Sequence, residues 1–241
     1  MNRAAPLQYE EIMRQLRAQA NPAAVAGMAG FGINPTNTYG VSIPALRGMA
    51  RQIGRDHQLA LRLWASSIHE ARILASLVDD PEAVTDEQME AWVVDFDSWD
   101  VCDQCCNNLF AKTRLAHNKA AAWSGRSEEF VRRAGFVLMA CLAVHDKQAD
   151  DATFLEFLSI IQATADDERN FVRKAINWAL RQIGKRNLAL NQAAVSVAEQ
   201  LRAVPSKAAR WIAADALREL TAEKTQLRLA KTSQKLSKGT T

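Results

Sequence analysis

Apolar residues recur every three or four positions through most of this chain, the spacing that places them on one face of an α-helix. The clearest case runs from Asn170 to Lys185, where the pattern predicts a single helix with one buried stripe. The members of this stripe are Val172, Ala175, Ile176, Ala179, Leu180 and Ile183. No segment alternates apolar and polar residues between turn signals, as a half-buried strand would. The pattern predicts an all-α protein.

Helical segments also repeat along the chain. The segment 130–134 (Phe-Val-Arg-Arg-Ala) recurs 41 residues later as 171–175 (Phe-Val-Arg-Lys-Ala), and looser echoes begin at His69 and Lys207. Helical repeats of roughly 40 residues are typical of HEAT-like and armadillo-like solenoids, in which each helix pair packs only against its neighbours. We therefore predict one helical-repeat domain over residues 1–231. Residues 232–241 are predicted to form a basic, flexible tail.

Turn residues mark the breaks between helices. Ser127 and Ser206 follow such breaks, and both are predicted to begin helices because a serine hydroxyl accepts a hydrogen bond from a first-turn amide. The Gly- and Pro-rich segment 21–48 matches no phosphate-binding motif and follows no predicted strand. It therefore does not indicate a nucleotide site.

Composition narrows the class of protein. The chain has 241 residues, and its 48% hydrophobic content is ample for a continuous core. It lacks an apolar run of about 18 residues, so we expect no membrane span, and its polar first 20 residues do not resemble a secretory signal. Four cysteines in a chain of this length do not indicate a disulfide framework. We expect a cytoplasmic monomer that needs no metal or other cofactor.

Charge is distributed unevenly, although the net charge is only +3. Residues 1–168 contain 15 Lys and Arg against 23 Asp and Glu, a net charge of −8, whereas residues 169–241 contain 15 against 4, a net charge of +11. On the predicted helix, Trp178 lies outside the apolar stripe and shares a face with Lys174, Arg181 and Lys185. An indole among three cations indicates a surface that meets nucleic-acid backbone. A solvated basic face is the alternative.

A second helix is predicted to begin near Ser98. Its apolar stripe consists of Cys102, Cys105, Cys106 and Leu109, so the cysteines are interpreted as core residues before metal or redox ligands. Trp99 and Asp103 are four residues apart on one border of this stripe, where a half-buried carboxylate could lie beneath an indole. The alternatives are a carboxylate at the helix start, for which Asp100 is better placed, and an indole that caps the core.

Arg133 lies on a helix that is apolar almost all round. A cation there needs an anionic partner, since a lone buried charge costs several kcal/mol. Either a structural carboxylate or a DNA phosphate could fill this role. The four histidines have no metal-ligand spacing and stay unassigned, and Trp64, Trp92 and Trp123 are interpreted as packing residues.

Four short motifs, in order and spacing, resemble those of the AlkD family of HEAT-like-repeat bacterial alkylpurine DNA glycosylases. They are the segment 39–47, Trp99-Asp100-x-x-Asp103, Arg133-Ala134, and Lys174-Ala175-Ile176-x-Trp178-x-Leu180-Arg181. The resemblance covers about residues 10–220. It implies an all-α solenoid that holds double-stranded DNA on a concave surface and excises cationic N3- or N7-alkylated purines.

The resemblance also assigns roles to residues. It implies that Asp103, Trp99 and Trp178 are catalytic, with Asp103 stabilising the positive charge that develops on the deoxyribose. It implies DNA binding by a set of cationic and aromatic residues, namely Arg133, Lys174, Arg181, Lys185, Arg47 and Phe31. Phe31 takes the place of a family tyrosine, and the loop that follows it is longer here.

Two other classes of function stay open from the sequence. One is a DNA-binding module without catalysis that recognises bent or branched duplex. The other is a helical-repeat scaffold for protein partners, which would explain the repeats but not an indole on a basic face.

Overall fold

The computed structural model describes residues 9–238, and within them every regular element is helical. The prediction of an all-α protein is confirmed. The short helix η1 (Phe110–Lys112) is of the 3-10 type. The α-helices are α1 (Tyr9–Ala18), α2 (Pro22–Gly30), α3 (Ile43–Ile53), α4 (His57–Ala65), α5 (His69–Val78), α6 (Asp86–Val94), α7 (Trp99–Asn108), α8 (Ala116–Ser124), α9 (Glu129–His145), α10 (Asp151–Thr164), α11 (Asn170–Gly184), α12 (Leu188–Leu201), α13 (Lys207–Leu220) and α14 (Glu223–Lys238).

The chain divides into two compact units, the first ending at Leu115 and the second beginning at Ala116. In the first unit, α5 packs against α3, α4 and α7. Its core includes Trp64 and Trp92, whose rings stack with centroids 4.0 Å apart. Both indoles are therefore packing residues, as predicted.

The second unit shows the repeat that the sequence predicts. Helices α9, α11 and α13 pack side by side, and each contacts the helix that precedes it in the chain, α8, α10 and α12 respectively. Hydrogen bonds between residues 38 positions apart recur along this row: Arg133 to Phe171, Asn177 to Asp215, and Arg181 to Glu219. Bonds of one spacing between successive helices are what tandem repeats of similar length produce.

The helix boundaries follow local chemistry, with one correction. Ser206 begins α13 as predicted, because its hydroxyl accepts a hydrogen bond from the amide of Ala209. A helix does begin just after Ser127, at Glu129, but the predicted capping by Ser127 is wrong: Glu128 precedes the first residue of α9, and no side chain caps that end. The Ser127 hydroxyl instead donates to the carboxylate of Glu128.

The predicted C-terminal tail overlaps α14, whose backbone is helical to Lys238. Residues 239–241 lie outside the described part of the chain. Across residues 9–238, each helix is too short or too polar to cross a bilayer.

Candidate active site

Helix α7 carries the Trp99–Asp103 pair at its beginning. The stripe predicted for this helix is confirmed, since Cys102, Cys105 and Cys106 are completely buried. Burial raises the pKa of the Cys105 thiol well above its usual range, so this thiol is held in its neutral form. Trp99 and Asp103 are both half-buried on the border of the stripe, one helical turn apart. The helix thus presents an indole and a carboxylate together at the edge of its core.

Trp99 also makes a long-range contact. Its indole Nε1 donates a hydrogen bond to the backbone carbonyl oxygen of Phe31, 3.1 Å away. Phe31 follows the last residue of α2, and its side chain is 76% exposed. The structure therefore brings Phe31 to Trp99 and leaves the phenyl ring in solvent. A second bond, from Asn34 to Asp97, links the same two segments at 2.8 Å.

Asp100 has a different environment from Asp103. Its Oδ1 accepts hydrogen bonds from the hydroxyl of Ser98 and the amide of Val101, and its Oδ2 lies 2.9 Å from Nε2 of His69. Burial lowers the pKa of His69, but the hydrogen bond and charge of Asp100 outweigh it and raise the pKa overall. Asp100 therefore ties the start of α7 to the start of α5.

Glu70, the neighbour of His69, anchors the glycine-rich segment. Its buried carboxylate accepts hydrogen bonds from the consecutive backbone amides of Tyr39, Gly40 and Val41, at distances of 2.6–3.2 Å. Gly40 is required there, since its φ is +80° and an added Cβ would lie 2.5 Å from the Asn21 carbonyl oxygen. Adjacent residues of α5 thus hold residues 39–41 and the start of α7. Sequence reasoning missed this role of His69 and Glu70, for which no local pattern exists.

Arg47 is the remaining predicted DNA-binding residue of the first unit. It lies in α3, between the buried residues Leu46 and Met49, and its own side chain is exposed. Ser42 caps the N-terminus of this helix, accepting a hydrogen bond from Ala45. Arg47 is therefore a surface cation on a well-defined helix.

Helix α11 carries the second set of predicted residues. All six members of the predicted apolar stripe are completely buried, which confirms it. Trp178 lies outside the stripe and is half-buried, and Lys174, one turn earlier on the same face, is exposed. The indole and at least one cation thus share an accessible face of the second unit.

The other two cations of this face are engaged by α13. The carboxylate of Glu219 lies 2.7 Å from Arg181 and 2.5 Å from Lys185, and Asp215 lies 3.3 Å from Arg181. Burial raises the pKa of Glu219, but its bonds to these two cations outweigh that effect and lower the pKa overall. Both acidic residues lie 34 or 38 positions further along the chain than the cations they pair with, so the sequence did not reveal the pairing.

Arg133 is almost entirely buried, at 6% exposure, and lies in α9. Its Nη1 donates a hydrogen bond of 2.6 Å to the carbonyl oxygen of Phe171, the second residue of α11. The sequence offered a carboxylate or a phosphate as its partner. The structure shows that one hydrogen-bond partner of Arg133 is a backbone carbonyl. Through this bond Arg133 joins α9 to α11.

The predicted residues therefore fall into two sets. Trp99, Asp103 and Phe31 lie in the first unit, where Trp99 is one turn from Asp103 and hydrogen-bonded to Phe31, while Trp178 and the cations around it lie in the second. A half-buried carboxylate beside an indole can stabilise a positive charge, and an exposed lysine beside an indole suits a phosphate backbone. Within residues 9–238, no group of three or more His, Cys, Asp or Glu residues is arranged to hold a metal ion.

Comparison with known proteins decides the family. The model of a family described as "DNA alkylation repair enzyme" matches residues 12–227. The chain belongs to this family. The resemblance in its short motifs is thereby confirmed over most of the sequence. No curated protein matches this chain.

A solved structure confirms the fold of this DNA alkylation repair family member. The chain in that solved structure is 19% identical in sequence to this one. The two superpose with a TM-score of 0.73, and the match covers 80% of this chain and 83% of the other. That protein is described as one of "a new family of proteins related to the HEAT-like repeat DNA glycosylases with affinity for branched DNA structures". The predicted HEAT-like helical-repeat fold is therefore correct.

Proposed function

We propose that this protein is a monofunctional DNA glycosylase that hydrolyses the N-glycosidic bond of cationic N3- or N7-alkylated purines in duplex DNA. The observation that carries the proposal is the placement of Asp103 and Trp99 one turn apart on the border of the α7 core, with Phe31 hydrogen-bonded to the same indole. Membership of a DNA alkylation repair family supports it.

The chemistry requires few groups. An alkylated purine is already a cation, so it departs with the electrons of the glycosidic bond and becomes neutral without an acid to protonate it. One carboxylate then suffices, in contrast to the paired carboxylates of sugar hydrolases. Asp103 would stabilise the positive charge on the deoxyribose as the bond breaks. It would also orient the water that attacks the sugar carbon and accept the proton released.

The cationic and aromatic residues of the two sets would hold the DNA. Lys174 and Arg47 are exposed and would contact phosphates directly. Arg181 and Lys185 would reach phosphates as their bonds to Glu219 open. Trp178 and Phe31 would offer ring faces to the lesion or the sugar. Arg133, nearly buried, is proposed to contact a phosphate while it holds α11 in place.

The deciding experiment measures single-turnover release of 7-methylguanine from methylated duplex DNA. We expect Asp103→Asn to slow excision by about 100-fold or more, which corresponds to roughly 3 kcal/mol at the transition state. Its affinity for undamaged duplex should hold or increase, because a negative charge near phosphates is lost. A folded Asp103→Asn protein that excises at the wild-type rate would rule out this mechanism.

A DNA-structure-binding protein without catalysis is the second candidate. The description of the similar structure, which speaks of affinity for branched DNA, motivates it. Tight binding of branched or methylated duplex by the wild-type protein, with no release of base, would favour this candidate over the glycosylase.

A further inference from the structure

Trp211 is exposed in a way that packing alone does not explain. It lies in the first turns of α13, and 39% of its surface is open to solvent. The guanidinium carbon of Arg173, on α11, lies 5.3 Å from the centre of the indole ring. This cation–π contact holds the ring in a defined orientation while much of it stays accessible.

The surroundings of this indole are predominantly basic. Lys207 and Arg210 are exposed within one turn of Trp211 on the same helix. The acidic residues nearby are engaged. The carboxylate of Glu168 accepts hydrogen bonds from the Ser206 hydroxyl and the Ala208 amide at 2.8 and 3.2 Å, and Asp215, one turn after Trp211, pairs with Arg181 and Arg218. An accessible ring flanked by cations is complementary to a base attached to phosphates.

The position of this patch connects it to the proposed DNA-binding face. Arg173 directly precedes Lys174, the exposed cation that shares a face of α11 with Trp178. Trp211 therefore lies beside the N-terminal end of that face. A DNA strand that follows the cations of α11 would reach the indole of Trp211 within the same unit.

We propose that Trp211 and Arg173, with Lys207 and Arg210, form a site for an unpaired nucleotide next to duplex DNA. The base stacks on the indole, and the cations hold the flanking phosphates. An unpaired base is favoured because the faces of paired bases are covered by their neighbours in the duplex, whereas every unpaired base exposes a π-face. The site extends the proposed function from duplex alone to duplex with a single-stranded arm.

The experiment compares a blunt duplex with the same duplex carrying a thymidine overhang, using fluorescence anisotropy. Trp211→Phe and Trp211→Leu are the informative pair, because both keep apolar volume against Arg173 but only phenylalanine stacks on a base. We expect wild type and Trp211→Phe to bind the overhang duplex more tightly than the blunt one. Trp211→Leu should lose about ten-fold in affinity for the overhang duplex and nothing for the blunt duplex.

Leu155→Ala is the matched control, since Leu155 is a 47% exposed hydrophobic residue of α10 in the same unit. It should change neither affinity. Equal binding of both duplexes by the wild type, or identical behaviour of Trp211→Phe and Trp211→Leu, would overturn the proposal. Excision of 7-methylguanine would still stand in that case, so the failure of this site and the failure of the proposed function are distinguishable.

Discussion

Trp99 and Phe31 are 68 residues apart, yet the indole Nε1 of Trp99 donates a 3.1 Å hydrogen bond to the carbonyl oxygen of Phe31. The bond attaches the end of α2 to the start of α7. It places an exposed phenyl ring next to the helix that carries Asp103. Because the contact is made through the backbone of Phe31, it does not depend on the identity of that side chain, which is free to differ from a tyrosine.

Two tryptophans of the second unit, Trp178 and Trp123, should separate function from folding. Trp178 is half-buried outside the core stripe, whereas Trp123 is 1% exposed. We expect Trp178→Ala to reduce excision strongly with little change in thermal midpoint. Trp123→Ala should destabilise the fold by about 3–5 kcal/mol, the usual range for a buried aromatic. Thermal melts and single-turnover excision measure the two effects. A large drop in midpoint for Trp178→Ala would show that this indole is structural.

Glu219 is predicted to restrain DNA binding. It pairs with both Arg181 and Lys185, so Glu219→Gln should free Lys185, leave Arg181 paired with Asp215 alone, and tighten duplex binding. Glu199→Gln is the control, because it removes the same charge from Glu199 of α12, which pairs with the exposed Arg202 just after that helix. Binding is titrated over a range of salt concentrations. The plot of log binding constant against log salt concentration should be steeper for Glu219→Gln than for Glu199→Gln. Equal affinities and equal slopes for the two variants would mean that Glu219 does not restrain DNA binding through these two cations.

The His69–Asp100 pair should make stability depend on pH. The pKa of His69 is raised in the folded protein, so its contribution is present below its unfolded pKa of about 6.5 and is lost as pH rises through the higher folded value. The free energy of unfolding should therefore fall from about pH 6 upward. Glu70 and Asp97 also act on this histidine, yet its direct partner is Asp100.

Asp100→Asn tests this prediction. It leaves burial as the dominant influence on His69, which lowers the pKa, so the pH dependence should flatten or reverse. Urea denaturation at pH 6 and pH 8 measures the difference. An unchanged dependence in Asp100→Asn would assign it to other groups.

Two helical glycines should respond in opposite directions to alanine. A Cβ at Gly135 would lie 2.5 Å from the backbone nitrogen of Ser124, at the end of α8. Gly135→Ala should therefore push α8 away from α9 and lower the free energy of unfolding by about 1–3 kcal/mol or more. At Gly48 the nearest atom, in the Arg51 side chain, is 3.9 Å away. Gly48→Ala should stabilise α3 by about 0.5–1 kcal/mol. Denaturant midpoints measure both, and a neutral Gly135→Ala would contradict the close approach of the two helices.

Local pattern was enough to predict α11 and the core side of α7. The apolar residues Val172 and Ile176, like Cys102 and Cys106, are spaced for one helix face, and the structure buries all four completely. Helical spacing is a property of neighbouring residues, so it can be recognised without knowing what packs against the helix. The 41-residue repeat was visible for the same reason, since each repeat preserves its own pattern.

Tertiary packing alone decided which groups the polar side chains pair with. Arg181 is a cation on a helix face in the sequence, but the arrival of α13 places Glu219 2.7 Å from it. Glu70 carries no local signal, yet it holds the amides of residues 39–41. Such contacts join residues about 30–70 positions apart, and they form only where the packing of whole helices sets the distance between them. The sequence by itself therefore determined the helices and their buried faces, whereas the tertiary structure determined which polar groups meet.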